Sequence, residues 1–306
     1  MYTVLTFIIY GTEIFMDLTS LGTIKYIKDK YGFNMSKGLG QNFLLDSGAL
    51  EEIASSAELS SESGVLEIGP GIGVLTKRLA QSAKKVVSIE IDTRLLNVLD
   101  ETLAEYDNVK IISGDVMKTD LQKLIADEFG ECNEVSVAAN LPYYITTPIL
   151  TRLLEDSGLN VKNIVVMVQK EVAQRLCAEP KTKNYSALSV LVAYHADAEI
   201  AVHVPASSFA PPPKVDSAVV RLKMRTQPPV TPKSEKIFFK TVRAAFGQRR
   251  KTLVNALCGS SAFPLTKERF KQIISELGLG ENVRGEELGL DRFCALADAI
   301  YDDINQ

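Results

Sequence analysis

An amide, a proline and two tyrosines follow directly after an apolar run in the stretch VAANLPYYITTPIL, residues 137–150. Residues 137–139 are typical of the end of a buried strand. Asn140 then offers an amide oxygen, Pro142 fixes the backbone, and Tyr143 and Tyr144 offer flat aromatic faces. Open α/β sheets bind ligands in the loops at the carboxyl ends of their strands, so this loop is predicted to contact a ligand.

A second candidate segment is the glycine-rich stretch LEIGPGIGVLT, residues 66–76, which lies between an apolar run and a helical pattern. Gly69, Gly71 and Gly73 would let the backbone of a strand-to-helix turn approach a ligand closely. Their G-x-G-x-G spacing differs from the G-x-G-x-x-G of dinucleotide folds. Taken alone, the glycines are equally typical of an ordinary tight βα turn.

Two acids at later strand ends make the glycine turn more informative. Glu90 follows Gly69 by 21 residues and would accept hydrogen bonds from ribose hydroxyls, and Asp115 would receive an exocyclic adenine amine. The turn has no Lys-Ser/Thr pair, so it is not a phosphate-binding P-loop. These features together predict an adenosine-type cofactor, and S-adenosylmethionine fits them best.

The elements that must position these residues alternate between strands and helices. Apolar runs predict strands at 64–69, 84–92, 108–115, 134–140, 163–169, 198–204 and 217–224. Helical spacing predicts helices within 73–83, 93–106, 119–129, 147–158 and 185–196, and one in 47–59 capped by Ser47. This order predicts an α/β fold with a doubly wound, parallel sheet. A proline-rich stretch at 225–234 is a linker to a small domain that is helical only, in which 235–257 reads as one helix.

Charge is distributed unevenly along the chain, whose net charge is −4. Residues 221–255 contain ten basic residues and one acid, which favours a local contact with a polyanion. The four cysteines have no metal-ligand spacing and are predicted to be reduced thiols in a cytoplasmic protein. The two histidines are too few and too isolated to suggest a metal site, so no metal is predicted.

Eight motifs resemble those of the ribosomal RNA adenine dimethylases, in particular the KsgA-type small-subunit enzymes. In chain order they are KGLGQNFLLD, LEIGPGIGVLT, SIEID, the GD pair at 114–115, NLPYYITTPIL, QKEVAQRL, SFAPPPKVDSAVVRL and AFGQRRKTLVNAL. They run from about residue 37 to 257, and NLPYY with SFAPPPKVDSAVVRL is the most specific combination. One departure is visible, because the family usually has Asn where this chain has Tyr144.

The resemblance implies a Rossmann-like S-adenosylmethionine-dependent methyltransferase fold with a small C-terminal helical domain. The implied organisation is an N-terminal extension and lead-in helix at 1–36, a methyltransferase domain at 37–225 and an RNA-binding helical domain at 234–306. The cofactor residues that it implies are Gln41, Asn42, Leu44, Gly69, Gly71, Glu90, Asp115 and Asn140.

The implied reaction is dimethylation of N6 on two adjacent adenosines near the 3′ end of small-subunit ribosomal RNA. The amine must be made tetrahedral, so acceptors for its protons are expected from the Asn140 oxygen and from the carbonyl of Leu141 or Pro142. Tyr143 would stack on the flipped base, with Phe209 as the opposite face. The cations expected to grip RNA phosphates are Arg221, Lys223, Arg225, Arg249, Arg250 and Lys251.

Two other functions remain open from the sequence. One is a resistance-type methylase that acts on large-subunit ribosomal RNA, and the other is a ribosome-assembly or RNA-binding factor with little catalysis. The expected partner is small-subunit ribosomal RNA or the immature subunit, with no membrane contact and the protein a monomer. We interpret residues 1–15 as an upstream extension, because a more usual soluble sequence opens at Met16.

Overall fold

The computed structural model describes residues 7–10, 13–32, 41–156 and 159–305, with side chains from Met16 onward. Its strands are β1 Phe7–Tyr10, β2 Glu13–Met16, β3 Phe43–Leu44, β4 Ser63–Ile68, β5 Lys85–Glu90, β6 Val109–Ser113, β7 Glu134–Asn140, β8 Asn163–Gln169, β9 Ala196–Val204, β10 Phe209–Ala210 and β11 Ser217–Met224. Its helices are α1 Leu21–Tyr31, α2 Ser47–Ser56, α3 Val74–Ala80, α4 Leu96–Thr102, α5 Leu121–Glu128, α6 Thr146–Glu155, α7 Lys170–Leu176, α8 Ala187–His195, α9 Glu235–Phe246, α10 Leu253–Gly259, α11 Lys267–Glu276 and α12 Leu290–Ile304.

Seven of these strands form one sheet, in the order β6-β5-β4-β7-β8-β11-β9. Strands β4 to β8 pair in parallel, while β11 runs antiparallel to β8. The central strands β4, β7 and β8 are almost entirely buried, as expected for parallel strands covered on both faces. This arrangement confirms the predicted α/β class. The sheet is mostly parallel, and it departs from the predicted parallel sheet at β11.

The chain begins the sheet in the middle, moves outward through β5 and β6, and then returns to place β7 on the other side of β4. The strand order therefore reverses between β4 and β7. In open α/β sheets the crevice at such a switch point, beside the carboxyl ends of the strands, is where ligands bind.

The contacts divide the chain into two units, and each is described by itself. The sheet unit comprises residues 1–173 and 199–224, and the helical unit comprises 174–198 and 225–306. The break at 224/225 agrees with the expected linker. Residues 174–198, which the sequence prediction placed in the first domain, instead group with the helices, because Tyr194 of α8 packs on Phe238 and Phe239 of α9.

Part of the predicted N-terminal extension lies outside the described residues, namely 1–6 and 11–12. The described parts form a two-stranded antiparallel pair in which Phe7 is opposite Met16. The lead-in helix, α1, is held to α4 by Glu101, whose carboxylate accepts from Lys30 at 2.6 Å and from the hydroxyl of Tyr31. Residues 33–40, which contain the start of the KGLGQNFLLD motif, also lie outside the described residues.

Two local predictions were wrong. Helix α2 is capped by Asp46, whose Oδ1 accepts from the backbone N of Ala49 at 3.1 Å, while Ser47 is already helical. The segment 235–257 is also not one helix. Helix α9 ends at Phe246 and α10 begins at Leu253, because Gly247 weakens the helix and the backbone N of Leu253 bonds to the carbonyl of Val283 at 2.7 Å.

Candidate active site

The register of the parallel strands brings three predicted residues to one edge of the sheet. Ile68, the last residue of β4, pairs with Ile89 on one side and with Ala139 on the other. The residues that follow these three are Gly69, Glu90 and Asn140. The glycine turn, the first acid and the amide therefore meet at the switch point of the sheet.

A cleft with about 880 Å³ of empty space, counted out to its open mouth, lies at this edge. Its walls include these predicted residues: Gln41, Asn42, Leu44, Gly69, Gly71, Glu90, Asn140, Leu141, Pro142, Tyr143 and Phe209. Among the predicted cofactor residues, Asp115 is outside this lining. It lies two residues beyond β6, where its Oδ1 accepts from the backbone N of Met117 at 2.9 Å.

The glycine turn is shaped around Glu90. Gly69 has a φ of +70° and Gly71 a φ of +63°, a left-handed conformation that glycine adopts without strain. The turn folds back so that the backbone N of Gly71 donates to Oε2 of Glu90 at 3.1 Å, while the N of Asp92 donates to Oε1 at 2.7 Å. Burial raises the pKa of the Glu90 carboxyl, and these two hydrogen bonds oppose that rise. Each oxygen keeps a lone pair for a hydroxyl donor.

Space around the glycines fits a ligand that approaches the backbone. A Cβ added to Gly69 would meet no atom within 4 Å, so this backbone faces open space. A Cβ on Gly71 would lie 3.2 Å from the ring of Phe43, which crosses the turn from β3. Phe43 therefore fixes the turn from one side and leaves the other side open.

Gln41 is held at the cleft by Asp92. Its Nε2 donates to Oδ2 of Asp92 at 3.0 Å, and the same carboxylate accepts from the guanidinium of Arg94 at 2.6 and 2.8 Å. The Arg94 guanidinium, followed by Gln41, lowers the pKa of Asp92 despite burial. Asp92 is therefore ionised at neutral pH and anchors the amide of Gln41.

Two motifs that are distant in the sequence are joined by a short antiparallel pair. In it, Phe209 of β10 is opposite Leu44 of β3. Ser208 strengthens the joint, since its Oγ donates to Oδ2 of Asp46 at 2.9 Å and its carbonyl accepts from Leu45 at 2.8 Å. Phe209 is only 3% exposed and packs in the core with Leu44, so it forms a wall of the cleft with little free face.

The loop after β7 presents two acceptors. Nδ2 of Asn140 donates to the carbonyl of Asn42 at 3.4 Å, which leaves Oδ1 without a donor among the described residues. The Pro142 carbonyl is already occupied, because it accepts from the backbone N of Ile145 at 3.2 Å and from Oγ1 of Thr146 at 2.9 Å. Leu141 donates its N to Met167 at 3.1 Å, and no described residue donates to its carbonyl. Of the two carbonyls considered from the sequence, that of Leu141 is the available one.

The two tyrosines of NLPYY have different environments. The hydroxyl of Tyr143 shares a hydrogen bond of 2.7 Å with Oγ of Ser217, the first residue of β11. Burial raises the pKa of Tyr143, so it stays neutral. Tyr144 is 57% exposed and also lines the cleft. Tyr143 is thus fixed against the sheet, whereas Tyr144 presents its ring at the surface of the cleft.

Ile91 is a cleft residue that the sequence analysis did not select. It follows Glu90 directly, lines the cleft, and is 51% exposed, so much of its apolar surface is uncovered. The signal in the sequence was an apolar side chain between two acids in the EID triplet. An exposed apolar face beside Glu90, the acid predicted to bind a ribose, can cover a planar ring.

A buried carboxyl lies two residues before the first glycine of the turn. Glu67 in β4 is 1% exposed, and its Oε2 accepts from Oγ of Ser88 at 2.6 Å and from Oγ1 of Thr76 at 2.7 Å. Its Oε1 has no partner among the described residues. Burial raises the pKa of Glu67 from 4.5 to about 7. Through Thr76, this group connects β4 to the helix that the glycine turn opens.

The cations predicted to bind RNA differ in their pairing. At the end of the sheet, Arg221 is bound to Glu58 and to Glu199, each at 2.7 Å. Arg225 is bound to Asp197 at 2.5 Å. These two arginines have acidic partners within the chain, so their charge is partly neutralised before any RNA arrives.

The QRRK segment lies in the turn between α9 and α10, not on a helix as its sequence suggested. Arg249 is paired there with Glu286 at 2.7 Å and also donates to the carbonyl of Lys183. Within the described part of the chain, the side chains of Lys223, Arg250 and Lys251 have no acidic partner. Three of the six predicted cations are therefore free for phosphates.

Comparison with known proteins identifies the family. The family model "Ribosomal RNA adenine dimethylase" matches residues 32–300. The chain belongs to the ribosomal RNA adenine dimethylase family. This confirms the family and the methyltransferase activity that the motifs predicted. No helix of the described residues is long and apolar enough to cross a membrane.

Relatives of this adenine dimethylase cover nearly the whole chain. The "Ribosomal RNA small subunit methyltransferase A" of Bacillus mycoides (strain KBAB4) is 50% identical over 285 residues, which are 93% of this chain and 97% of the relative. The protein of the same name from Bacillus cereus (strain AH187) matches equally.

Solved structures resemble it as well. A dimethyladenosine transferase from Plasmodium falciparum has a TM-score of 0.68 at 30% identity, covering 83% of this chain and 95% of its own. The 23S rRNA methyltransferase ErmE has a TM-score of 0.62 at 27% identity, covering 85% of this chain and all of its own. These likenesses confirm the predicted methyltransferase fold.

Proposed function

We propose that this chain transfers methyl groups from S-adenosylmethionine to N6 of two adjacent adenosines near the 3′ end of small-subunit ribosomal RNA, during ribosome biogenesis. The observation that carries the proposal is the single cleft that joins the glycine turn and Glu90 to Asn140 and Tyr143. One end of that cleft fits an adenosine-type cofactor, and the other fits an amine on a flat base. The names of the relatives that are 50% identical support the choice of the small subunit.

At the cofactor end of the cleft, the side chains match the chemical groups of the proposed cofactor. Glu90 keeps a lone pair on each oxygen for the ribose hydroxyls, and Ile91 offers an apolar face to the adenine. Asp115 would receive the adenine amine through Oδ2, from which the ammonium of Lys118 is 3.8 Å away. The open backbone at Gly69 suits the methionine portion, with Gln41, Asn42 and Leu44 along the wall. S-adenosylmethionine supplies an electrophilic methyl group on a sulfonium that is already a good leaving group.

The target end positions a weak nucleophile. The lone pair of adenine N6 is delocalised into the ring, so acceptors at both amine protons are needed to make the nitrogen tetrahedral. Oδ1 of Asn140 and the carbonyl of Leu141 are the two acceptors that have no donor within the described chain. Pro142 stiffens the loop that carries them, so they are preorganised and no strong base is required.

RNA binding is the least sequence-specific part of the proposal. A cation without an acid partner releases a counterion from each phosphate that it contacts, so its contribution depends on salt. Lys223, Arg250 and Lys251 are the best candidates, since Arg221, Arg225 and Arg249 are already paired. Recognition of the site then depends on RNA shape or on the assembled particle. We further propose that the protein acts as a monomer in the cytoplasm.

A direct test uses small subunits purified from a strain that lacks this methylation. Radiolabelled S-adenosylmethionine is added, and the RNA is hydrolysed to separate adenosine, N6-methyladenosine and N6,N6-dimethyladenosine. The proposal predicts two dimethyladenosines per subunit. Free large-subunit RNA is the second substrate, because ErmE, named as a 23S rRNA methyltransferase, shares the fold.

Each outcome selects one function. Label on the large-subunit RNA alone would indicate the resistance-type activity. Tight binding to small subunits with no label on either RNA would indicate an assembly factor. Asn140→Ala serves as the matched control, because it should bind the same subunits while label falls.

A further inference from the structure

The Tyr144 side chain has no task in the function proposed above, although it belongs to the same loop. It is 57% exposed, one of the most exposed large apolar side chains in the described chain. Its hydroxyl has no hydrogen-bond partner among the described residues, so no polar contact explains its position. Ligand clefts are lined largely by apolar and aromatic side chains, so an uncovered aromatic ring in a cleft lining is available to a ligand.

The backbone at Tyr144 is well fixed even though its ring is not covered. Ile145 donates its N to the carbonyl of Pro142 at 3.2 Å, and Thr146 donates its Oγ1 to the same carbonyl at 2.9 Å. These bonds close a turn immediately before α6. The ring therefore projects from an ordered support, which lowers the entropy that a stacking partner must overcome.

The position of Tyr144 relative to Tyr143 suggests the partner. Tyr143 is held by Ser217 and is the stacking face proposed for the flipped target base. Tyr144 follows Tyr143 directly in the chain, and both residues line the same cleft. The proposed substrate has two adjacent adenosines, so a second base follows the target directly. The exposed ring of Tyr144, beside the proposed stacking face in the same cleft, is available to that second base.

We infer that Tyr144 is a specificity-determining residue whose ring stacks on the base next to the target adenosine. This inference rests on the proposed function. Stacking on a purine is stronger than on a pyrimidine, so Tyr144 favours a target that has a purine neighbour. It would also hold the RNA in register while the enzyme moves from one adenosine to the other.

The test compares Tyr144→Ala, Tyr144→Asn and Tyr144→Phe on small subunits from the unmethylated strain. Base–aromatic stacking is worth roughly 1–3 kcal/mol, so loss of the ring should raise the KM for subunits by about 10-fold. The alanine and asparagine variants should show this rise with kcat nearly unchanged. The phenylalanine variant keeps the ring and should behave as wild type, because the hydroxyl has no partner.

A second arm changes the RNA. Subunits in which uridine replaces one of the two adenosines leave one target with a poorly stacking neighbour. Wild type should lose several-fold in kcat/KM on that target, and Tyr144→Ala should lose almost nothing further. An equal loss in both proteins, or an unchanged KM for Tyr144→Ala, would overturn the inference.

The affinity for S-adenosylmethionine, measured by calorimetry, is the remaining readout. It should be the same in all four proteins, and a weaker affinity in the alanine variant would show that Tyr144 contacts the cofactor instead. Failure of the proposed function would look different, because wild type itself would then methylate no small subunits.

Discussion

Replacing Glu67 by glutamine should change how the free energy of unfolding of the sheet unit depends on pH. The Glu67 carboxyl is 1% exposed, and only one of its oxygens has hydrogen-bond donors, from Ser88 and Thr76. Burial raises its pKa from 4.5 to about 7. The folded protein thus holds this proton more tightly than the unfolded chain does.

The sign and size of the change in stability with pH follow from the difference between the pKa of Glu67 in the folded and unfolded states. Below about pH 4.5 the carboxyl is protonated in both states and no penalty exists. Between pH 4.5 and 7 the unfolded chain releases the proton first, so the stability of wild type falls as pH rises. A rise in pKa from 4.5 to about 7 corresponds to a loss of about 3 kcal/mol, complete above pH 7.

The assay measures urea unfolding by circular dichroism at several pH values from 4.5 to 8, since the chain has no tryptophan. The useful quantity is the stability of wild type minus that of Glu67→Gln, in which other titrating groups cancel. The buried amide of glutamine adds an offset, but this offset does not depend on pH. The difference should fall by about 3 kcal/mol across the range.

The control is Glu62→Gln. Glu62 lies one residue before β4 in an exposed pair with Lys84 at 3.4 Å, and such pairs contribute little. The stability of wild type minus that of Glu62→Gln should stay nearly constant across the pH range. A flat difference for Glu67→Gln as well would show that Glu67 is hydrated or ionised at low pH in the folded state, and the reasoning from burial would be wrong.

Three further predictions concern the cleft and the RNA. Asn140→Ala removes one acceptor for the amine, so methyl transfer to small subunits should fall by about 100-fold or more. Calorimetry should show nearly unchanged S-adenosylmethionine affinity, and unchanged turnover would remove Asn140 from the mechanism. Ile91→Ala uncovers the proposed adenine face, and cofactor affinity should weaken by about 10-fold with kcat at saturation unchanged; equal affinity would place the adenine elsewhere. Arg250→Ala should reduce the slope of log affinity against log salt by about 1 in a filter-binding titration. Arg249→Ala should change the slope less, because Arg249 is paired with Glu286. An equal effect of the two substitutions would mean that the Arg249–Glu286 pair opens when RNA binds.

Sequence patterns predicted the strands that carry the site with unusual accuracy, and the reason is physical. Strands β7, β8 and β11 have the predicted bounds because each is a buried apolar run that ends where a polar loop begins. The errors lie at helix ends. Ser47 and Asp46 are both good caps, and only the backbone conformation decides between them. The break between α9 and α10 depends on Gly247, which weakens the helix, together with the hydrogen bond of Leu253 to Val283, which the sequence does not show.

In the candidate site, too, some features could be predicted from the local sequence and others depend on contacts elsewhere in the fold. Glu90 and the glycines lie at strand ends, and strand ends of one parallel sheet must share an edge, so their meeting was predictable, whereas Asp115 lies outside the cleft lining. The carbonyl that is proposed to accept from the amine was not predictable, because the choice between Leu141 and Pro142 depends on Thr146, the first residue of α6. Ile91 was missed because only its exposure in the cleft, which the sequence does not show, makes it a candidate ligand contact.

The number of cations available for RNA is the feature that the sequence predicts least well. Counting cations in 221–255 treats each as available, but Arg221 is paired with Glu58, which is 163 residues away in the chain. Long-range pairs of this kind cannot be seen in one sequence, because any of 38 acids could be the partner. A basic segment therefore gives only an upper limit to the number of phosphate contacts. The salt dependence of RNA binding should reflect only the cations without an acidic partner, so its slope should correspond to fewer than ten contacts.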